Sequence, residues 1–438
     1  MPAEAEPGAA PRTKSLFQQE QEFIAPGVQT IALLSQLAIS YGRGTRLTDL
    51  DGKSYLDLNA GVSVASLGHA HPKYVGALTR QLEALSVGSF TSLPRAELVR
   101  LIAKLAPGEL SRTQFFSGGA EAVEAGIRLA RSFTKRTDVI GFTGGFHGKT
   151  AGVLPISDVD WKTLIGPLPS GHHLAPYADP TPFDGSPDEC REQAIKQLRR
   201  VIEEEAGGRP AVIVIEPIQG TAGNIVPPPG FLRDVREVAR EYGGLLLADE
   251  MITGFGRTGE MFGCDHDGVV PDIMTLGKGM AAGYPVSALV STDEIMAAKP
   301  FSLPSASSSS YGGNPLAAAA ALVTIQTIRS DRLVANSAQV GGVLRAGLEA
   351  LAAKHRSIAN VRGKGLLVGF DLVADPVTKT LLPKERCIEF FKRGLAEGLI
   401  MMSYTPRVRV HPPLILSVAE ANEALAIIGR VLEQFEAE

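Results

Sequence analysis

Gly244–Glu250 (GLLLADE) and Ile273–Met280 (IMTLGKGM) decide how this chain is read. Each is an apolar run of strand length that stops at residues able to do chemistry. The first ends in two carboxylates, Asp249 and Glu250, and the second in a glycine-flanked lysine, Lys278. Short apolar runs bounded by turn residues predict strands at Leu245–Ala248 and Ile273–Leu276. In open α/β sheets ligands collect where strands end and turns begin, so both chain reversals are candidate functional positions.

Working outward, the same alternation of apolar strand, glycine-rich turn and amphipathic helix recurs. Thr113–Phe116, Val139–Phe142 and Ala211–Ile215 are further strand candidates, and Glu121–Thr134 and Phe231–Tyr242 are among the helices between them. This pattern predicts an α/β fold. Upstream, short apolar stretches over Leu47–Leu67, broken by Asp51-Gly52 and Asn59-Ala60-Gly61, predict a hairpin-like unit leading into the turn Gly68–Pro72, with a helix from near Tyr74. Downstream, the alanine-rich Pro315–Ser330 predicts a long helix leaving the large domain. Helical Ser337–Lys354, a strand over Gly365–Leu372 and a final amphipathic helix Val418–Phe435 then predict a second, smaller domain. The boundaries expected are 1–15 for a disordered Ala/Pro/Glu-rich start, 16–75 for an N-terminal segment joining the small domain, 76–330 for the large domain and 331–438 for the rest of the small one.

Composition narrows the function. The chain has 438 residues with 43 Lys and Arg against 47 Asp and Glu, a net charge of -4 that argues against a nucleic-acid partner. Cys190, Cys264 and Cys387 follow neither metal-ligand nor disulfide spacing and are expected to be reduced thiols. No run reaches the length of a membrane span and residues 1–15 lack the apolar core of a secretory signal, so no membrane partner and a cytoplasmic location are expected.

Each chemical candidate also has a plain alternative. Lys278 between glycines could be a turn residue, and Asp249 could cap its turn. Asp249-Glu250 could hold Mg²⁺, but no phosphate-gripping loop accompanies the pair. Gly144–Thr150 (GGFHGKT) resembles such a loop, yet the position five residues before Gly148 is Thr143, not glycine. Thr113–Arg131 (TQFFSGGAEAVEAGIRLAR) runs from strand through a Ser-Gly-Gly turn into a helix starting near Ala120, whose free N–H groups would suit a phosphate; a simple cap at Ser117 would explain the same residues.

These three segments occur in order with Phe146-His147-Gly148, Glu216–Gly220 (EPIQG), Gly254–Gly259 (GFGRTG), Ser310–Pro315 (SYGGNP) and Arg409–Leu414 (RVHPPL), and Lys278 follows Asp249 by 29 residues. From about Gly42 to the C-terminus the chain resembles the class III (omega-type) aminotransferases. The resemblance implies a fold type I architecture, with a mostly parallel seven-stranded sheet in the large domain and a smaller α+β domain. It implies pyridoxal 5′-phosphate held as a Schiff base on Lys278, which also shuttles a proton, and Asp249 paired with the pyridinium nitrogen. Gly119 and Ala120 match backbone donors to the phosphate, Phe146 the aromatic stacked on the ring, and Met251 a contact on its opposite face. His147 and Glu216 fall among residues around the cofactor. Ser310 stands where the family usually has a threonine that reaches the phosphate from a neighbouring subunit, which implies a homodimer or a higher homo-oligomer. Arg409 matches the arginine that grips a substrate carboxylate.

Two departures concern substrate choice. Many family members carry a second glutamate where this chain has Thr221, and many carry a glutamine where it has Ile252. With no acid at position 221, Arg409 is expected to stay available for a carboxylate or to swing out, favouring pyruvate-type acceptors or a donor bearing its own carboxylate, with 2-oxoglutarate as the other candidate acceptor. The function implied is transfer of an amino group from an amino acid, ω-amino acid or amine to a 2-oxo acid. Racemisation of an amino acid or aminolactam, and decarboxylating transamination, remain open alternatives, because the bond that breaks depends on substrate orientation.

Overall fold

The computed structural model describes residues 12–437. Its centre is a seven-stranded sheet in the order Arg112–Phe116, Ser287–Ser291, Ile273–Leu276, Leu245–Asp249, Val212–Ile215, Val139–Phe142, His172–Ala175. The strands from Ile273–Leu276 to His172–Ala175 pair in parallel, and Ser287–Ser291 runs antiparallel to both of its neighbours. The expected mostly parallel sheet is present. Val212–Ile215, Leu245–Asp249 and Ile273–Leu276 are buried at every residue, which is why they are continuously apolar rather than alternating.

The helix Gly119–Thr134 covers one face of this sheet with Ala122, Val123, Ala125, Gly126, Ile127, Leu129 and Ala130 buried. Gly126 permits the closest approach, since a Cβ there would lie 2.5 Å from Leu247 Cδ1. Leu247 is fully buried at this seam, and its truncation to alanine would cost about 2–5 kcal/mol. On the other side, Pro187–Glu204 and Phe231–Glu241 pack together and place Leu198, Ile202, Phe231 and Val235 in the larger core cluster. Pro315–Ser330 matches the expected helix and packs against Pro72–Ala84 and Leu93–Leu105.

The expected N-terminal hairpin is Arg46–Asp49 with Ser54–Asp57, turning at Gly52, whose φ is +85°. Its second strand pairs in parallel with Leu399–Ile400, so the two ends of the chain complete one sheet. A third sheet joins Ile358–Lys364, Leu367–Asp375, Thr380–Leu381 and Arg407–Val410. The final helix, Val418–Glu436, packs on Leu333–Ala352 and Lys384–Ala396.

The disorder expected over 1–15 falls largely on residues outside those described. Arg12–Ser15, however, form the start of the helix Arg12–Gln21, held where the Arg12 and Thr13 N–H groups donate to Asp51 at 2.8 and 3.2 Å. All three cysteines are free and buried. Among the described residues, no helix is long and apolar enough to cross a membrane, and no group of three or more His, Cys, Asp or Glu is arranged to hold a metal.

Candidate active site

Asp249 ends its strand at 2% exposure, where a bare carboxylate is costly unless hydrogen-bonded. Oδ1 accepts from Thr275 Oγ1 at 3.0 Å and Met251 N at 3.2 Å, while Oδ2 contacts His147 Nδ1 at 2.7 Å. Burial works against a charged imidazole at His147. The hydrogen bond and charge of Asp249, with Glu216 behind, outweigh burial and the opposing charge of Lys278, so the His147 pKa is raised. A carboxylate with a protonation-ready imidazole on one side is therefore aimed at whatever occupies the space in front of it.

That space is a cavity of about 310 Å³ lined by residues including Asp249, Lys278, Phe146, His147, Met251 and Gly119. Lys278 begins a short 3-10 turn directly after the strand Ile273–Leu276. Its φ of +42° lies in the left-handed region, a strained setting for a side chain that recurs at functional positions. Burial depresses the Lys278 pKa against the opposing charges of Asp249 and Glu216, and nearby Arg409 adds to the depression. A larger fraction of neutral amine is the chemical consequence, and a neutral amine is the nucleophilic form.

The opposite wall is the turn into Gly119–Thr134. Glu121 folds back so that its Oε2 accepts from Ser117 N at 2.9 Å and Gly118 N at 2.7 Å. The carbonyl of Gly118 is pinned by Ser287 Oγ at 2.7 Å. Gly119 and Ala120 are then the first two helical residues, whose N–H groups have no acceptor within a helix. Space here is tight: a Cβ on Gly148, at φ +129°, would lie 2.4 Å from Ala120 Cβ, and one on Gly277 would lie 2.5 Å from Met251 Sδ. These glycines are what allow the lining segments to converge.

Glu216 is buried beside the cavity rather than lining it. Its Oε1 accepts from Phe146 N at 2.9 Å and its Oε2 from Gly220 N at 3.0 Å, so it fixes the backbone that carries Phe146. Burial raises its pKa, with His147 opposing and Asp249 adding to the rise. Arg409, on the strand Arg407–Val410, is partly buried, and burial lowers its pKa against the opposing influence of Tyr404. Thr221 and Ser310 are exposed and do not line the cavity, and Ile252 is buried in a small apolar cluster with Ile218 and Leu367.

Of the residues singled out from sequence, the cavity thus gathers Lys278, Asp249, Gly119, Ala120, Phe146, His147 and Met251. It also takes in Val64 and the stretch Gly283–Val286, which sequence reasoning passed over. The second had a signal: Gly283-Tyr284-Pro285 is a turn just after the lysine, and Ala282 and Gly283 do adopt positive φ.

Comparison with known proteins agrees with this geometry. The family model described as Aminotransferase class-III matches residues 29–432. Acetylornithine aminotransferase of Methanothermobacter thermautotrophicus is 32% identical, over 96% of this chain and 99% of its own length. 4-Aminobutyrate aminotransferase GabT of Escherichia coli is 32% identical, over 96% of this chain and 98% of its own. Among solved structures, an amine transaminase from an uncultivated Pseudomonas species in its PLP-bound form superposes with a TM-score of 0.88 at 30% identity, covering 94% of this chain and 98% of that one. With a family model spanning nearly its whole length and these relatives aligned end to end, the chain belongs to the class III aminotransferases and is a pyridoxal-phosphate-dependent transaminase of fold type I.

Proposed function

We propose that this cavity holds pyridoxal 5′-phosphate and that the enzyme moves an amino group from a carboxylate-bearing amino donor, such as an ω-amino acid, to a 2-oxo acid of the pyruvate type. The observation that carries the reading is the pairing, in one cavity, of the buried, hydrogen-bonded carboxylate of Asp249 with the amine of Lys278, whose pKa burial lowers. The donor set fits the coenzyme. Asp249 would meet the ring nitrogen, Phe146 and Met251 would flank the ring, and the N–H groups of Gly119 and Ala120 would meet the phosphate. When bound, the coenzyme supplies an electron sink that lets a bond at the substrate's Cα break.

The protein's own part is to position and to move protons. Asp249 would stabilise a proton on the ring nitrogen of the bound coenzyme, and His147 holds Asp249 in place. Glu216 keeps Phe146 on its shelf. Lys278, neutral for part of the cycle, takes and returns the proton at its Nζ. Arg409 binds the substrate carboxylate, and with Thr221 in place of an acid nothing at that position neutralises the guanidinium.

The same reading makes the enzyme a cytoplasmic homodimer whose Ser310 reaches the partner's phosphate site. The exposure of Ser310, and of the apolar Phe90 at 88%, Leu93 at 73% and Tyr311 at 66%, supports a covered surface there. It also divides the chain into a large domain over 76–330 and a small one from 16–75 and 331–438, supported by the pairing of Ser54–Asp57 with Leu399–Ile400.

The test is a donor panel with pyruvate and 2-oxoglutarate as acceptors, scored for oxo-acid formation and for scrambling at Cα. Oxo acid formed mainly with pyruvate supports the proposal. A clear preference for 2-oxoglutarate contradicts the acceptor assignment, and Cα exchange without oxo acid, or release of CO₂, would replace transamination with one of the alternatives. The relatives named above are aminotransferases and favour neither alternative.

A further inference from the structure

The helix Leu333–Ala352 carries glycine at both 341 and 342, and packing explains only the first. A Cβ on Gly341 would collide with Gly365 O, so the helix needs glycine there to meet the turn at Lys364-Gly365. A Cβ on Gly342 would meet nothing within 4 Å. Glycine is a poor residue for the interior of a helix, and at 342 it brings no two surfaces together; it leaves a space open.

That space is a cleft of about 250 Å³ between the turn Thr258–Glu260, the helix face of Gly342 and Arg345, and the turn at Lys364-Gly365. It shares no lining residue with the active-site cavity. Behind it the walls are tied together: Ser337 Oγ donates to Arg257 O at 2.9 Å, and Leu366 N donates to Arg257 O at 2.9 Å and to Ser337 Oγ at 3.0 Å. The cleft is therefore preformed, which lowers the cost of binding. Its polar lining is unmatched. Thr258 is 2% exposed, and among the described residues neither its Oγ1 nor the buried Nε2 of His266 has a hydrogen-bond partner. Both line the cleft, and buried polar atoms of this kind call for a partner from outside the chain. Burial and the charge of Lys364 lower the His266 pKa against Glu260 and Asp267, so the ring is neutral near pH 7 and can present an N–H.

Charge then selects the ligand. Arg345 is exposed, and its Nε lies 3.6 Å from Glu349 Oε1. With Arg345 given to Glu349, the lining offers half-buried Lys364 as a cation and exposed Glu260 as an acid. A dianion such as phosphate would be attracted by the first and repelled by the second, whereas a zwitterion satisfies both. The volume lies below that of pockets for drug-sized ligands and suits a small metabolite. We propose that this cleft binds a free α-amino acid at a site separate from the active site, with Lys364, Thr258 Oγ1 and His266 Nε2 taking the carboxylate and Glu260 the ammonium.

Borohydride reduction of the coenzyme-loaded enzyme removes the imine that an amino acid would exchange with, whichever lysine carries it, and leaves the cleft untouched. Titration calorimetry of this reduced holoenzyme with L-alanine is expected to show one site per chain with a Kd of about 1 mM. Propanoate, which lacks the ammonium, should bind about fivefold more weakly, a modest ratio because Glu260 is exposed. Glu260→Gln should bring L-alanine down to the affinity of propanoate. Thr258→Val, which removes the hydroxyl at constant shape, and Lys364→Met should each weaken L-alanine about tenfold. Gly342→Leu fills the open space with a better helix former and should abolish binding. Should Thr258→Val fail to take up coenzyme, Lys364→Met and Gly342→Leu carry the test. A cleft that holds only water would give no saturable heat up to about 20 mM L-alanine, and that result overturns the proposal. So does binding that survives Gly342→Leu, since it belongs elsewhere on the chain. Equal affinity for L-alanine and propanoate, or tighter binding of inorganic phosphate than of either, would refute the amino-acid assignment.

Discussion

Replacing Asp249 by asparagine removes one charge with almost no change in shape, and the hydrogen bonds around it determine the effect. The amide oxygen can keep Thr275 Oγ1 and Met251 N, which bond Oδ1 at 3.0 and 3.2 Å. The new NH₂ then faces His147 Nδ1, which stands 2.7 Å from Oδ2, and His147 must give up a proton there to accept. Toward the cavity the variant offers a neutral dipole where a carboxylate stood. A unit-charge interaction at about 4 Å and an effective dielectric near 20 is worth about 4 kcal/mol. If that interaction is made chiefly as electrons enter the ring, the rate should fall about 1,000-fold. Stopped-flow mixing of the cofactor-loaded variant with an ω-amino acid, without acceptor, isolates the half-reaction. The visible absorbance of the bound coenzyme reports that the variant is loaded. A half-reaction within tenfold of the native rate, in a fully loaded variant, would refute the role of Asp249 in the chemistry.

Other consequences are equally open to measurement. Gly148→Ala sets a Cβ 2.4 Å from Ala120 Cβ at a backbone φ of +129°, so it should push the amide cradle out of place and weaken coenzyme affinity at least tenfold, read by equilibrium dialysis. In the coenzyme-free protein, the lowered pKa of Lys278 means that the folded chain releases this proton at lower pH than the unfolded chain. Its contribution to stability therefore grows as pH rises from the folded pKa toward the unfolded one, and competitive amine labelling should find Lys278 half-deprotonated at lower pH in the folded protein than in the urea-unfolded chain. Arg257 is buried, donates to the carbonyls of Leu366 and Pro412, and has a pKa pushed down to about 9 by burial. Arg257→Ala orphans both carbonyls and should cost about 2–4 kcal/mol in urea unfolding of the holoenzyme.

Sequence was informative where burial on both faces imposed continuous apolar runs. Val139–Phe142 and Ile273–Leu276 have the boundaries their runs suggested, and Leu245–Asp249 extends by one residue because Asp249 still pairs with Thr275 in the ladder. Ser287–Ser291 (SALVS) gave no such signal. It is fully buried, but its serines are satisfied by backbone carbonyls, Ser287 by Gly118 and Ser291 by Asp272, partnerships no local pattern reveals. His172–Ala175 escaped as a short edge strand beginning with two histidines. The helix Pro187–Glu204 was legible and went unnamed: Ser186 and Glu189 form a capping box with proline at the first turn.

The site divides in the same way. Lys278 and Asp249 stand out because they interrupt apolar runs, and the turn glycines because chain reversal requires them. The network behind them was hidden. Glu216 holding Phe146 spans 70 residues of sequence, His147 meeting Asp249 spans 102, and His411 meeting Asn224 spans 187. Those contacts depend on how strands are ordered in space, and one-dimensional spacing carries no trace of that order.

The most direct test of the central claim is to reduce the coenzyme-loaded enzyme with borohydride, digest it and map the modified peptide by mass spectrometry. The label is expected on the lysine of Thr275-Leu276-Gly277-Lys278-Gly279-Met280, one coenzyme per chain. A label on any other lysine, or a protein that takes up no coenzyme at all, would contradict the account.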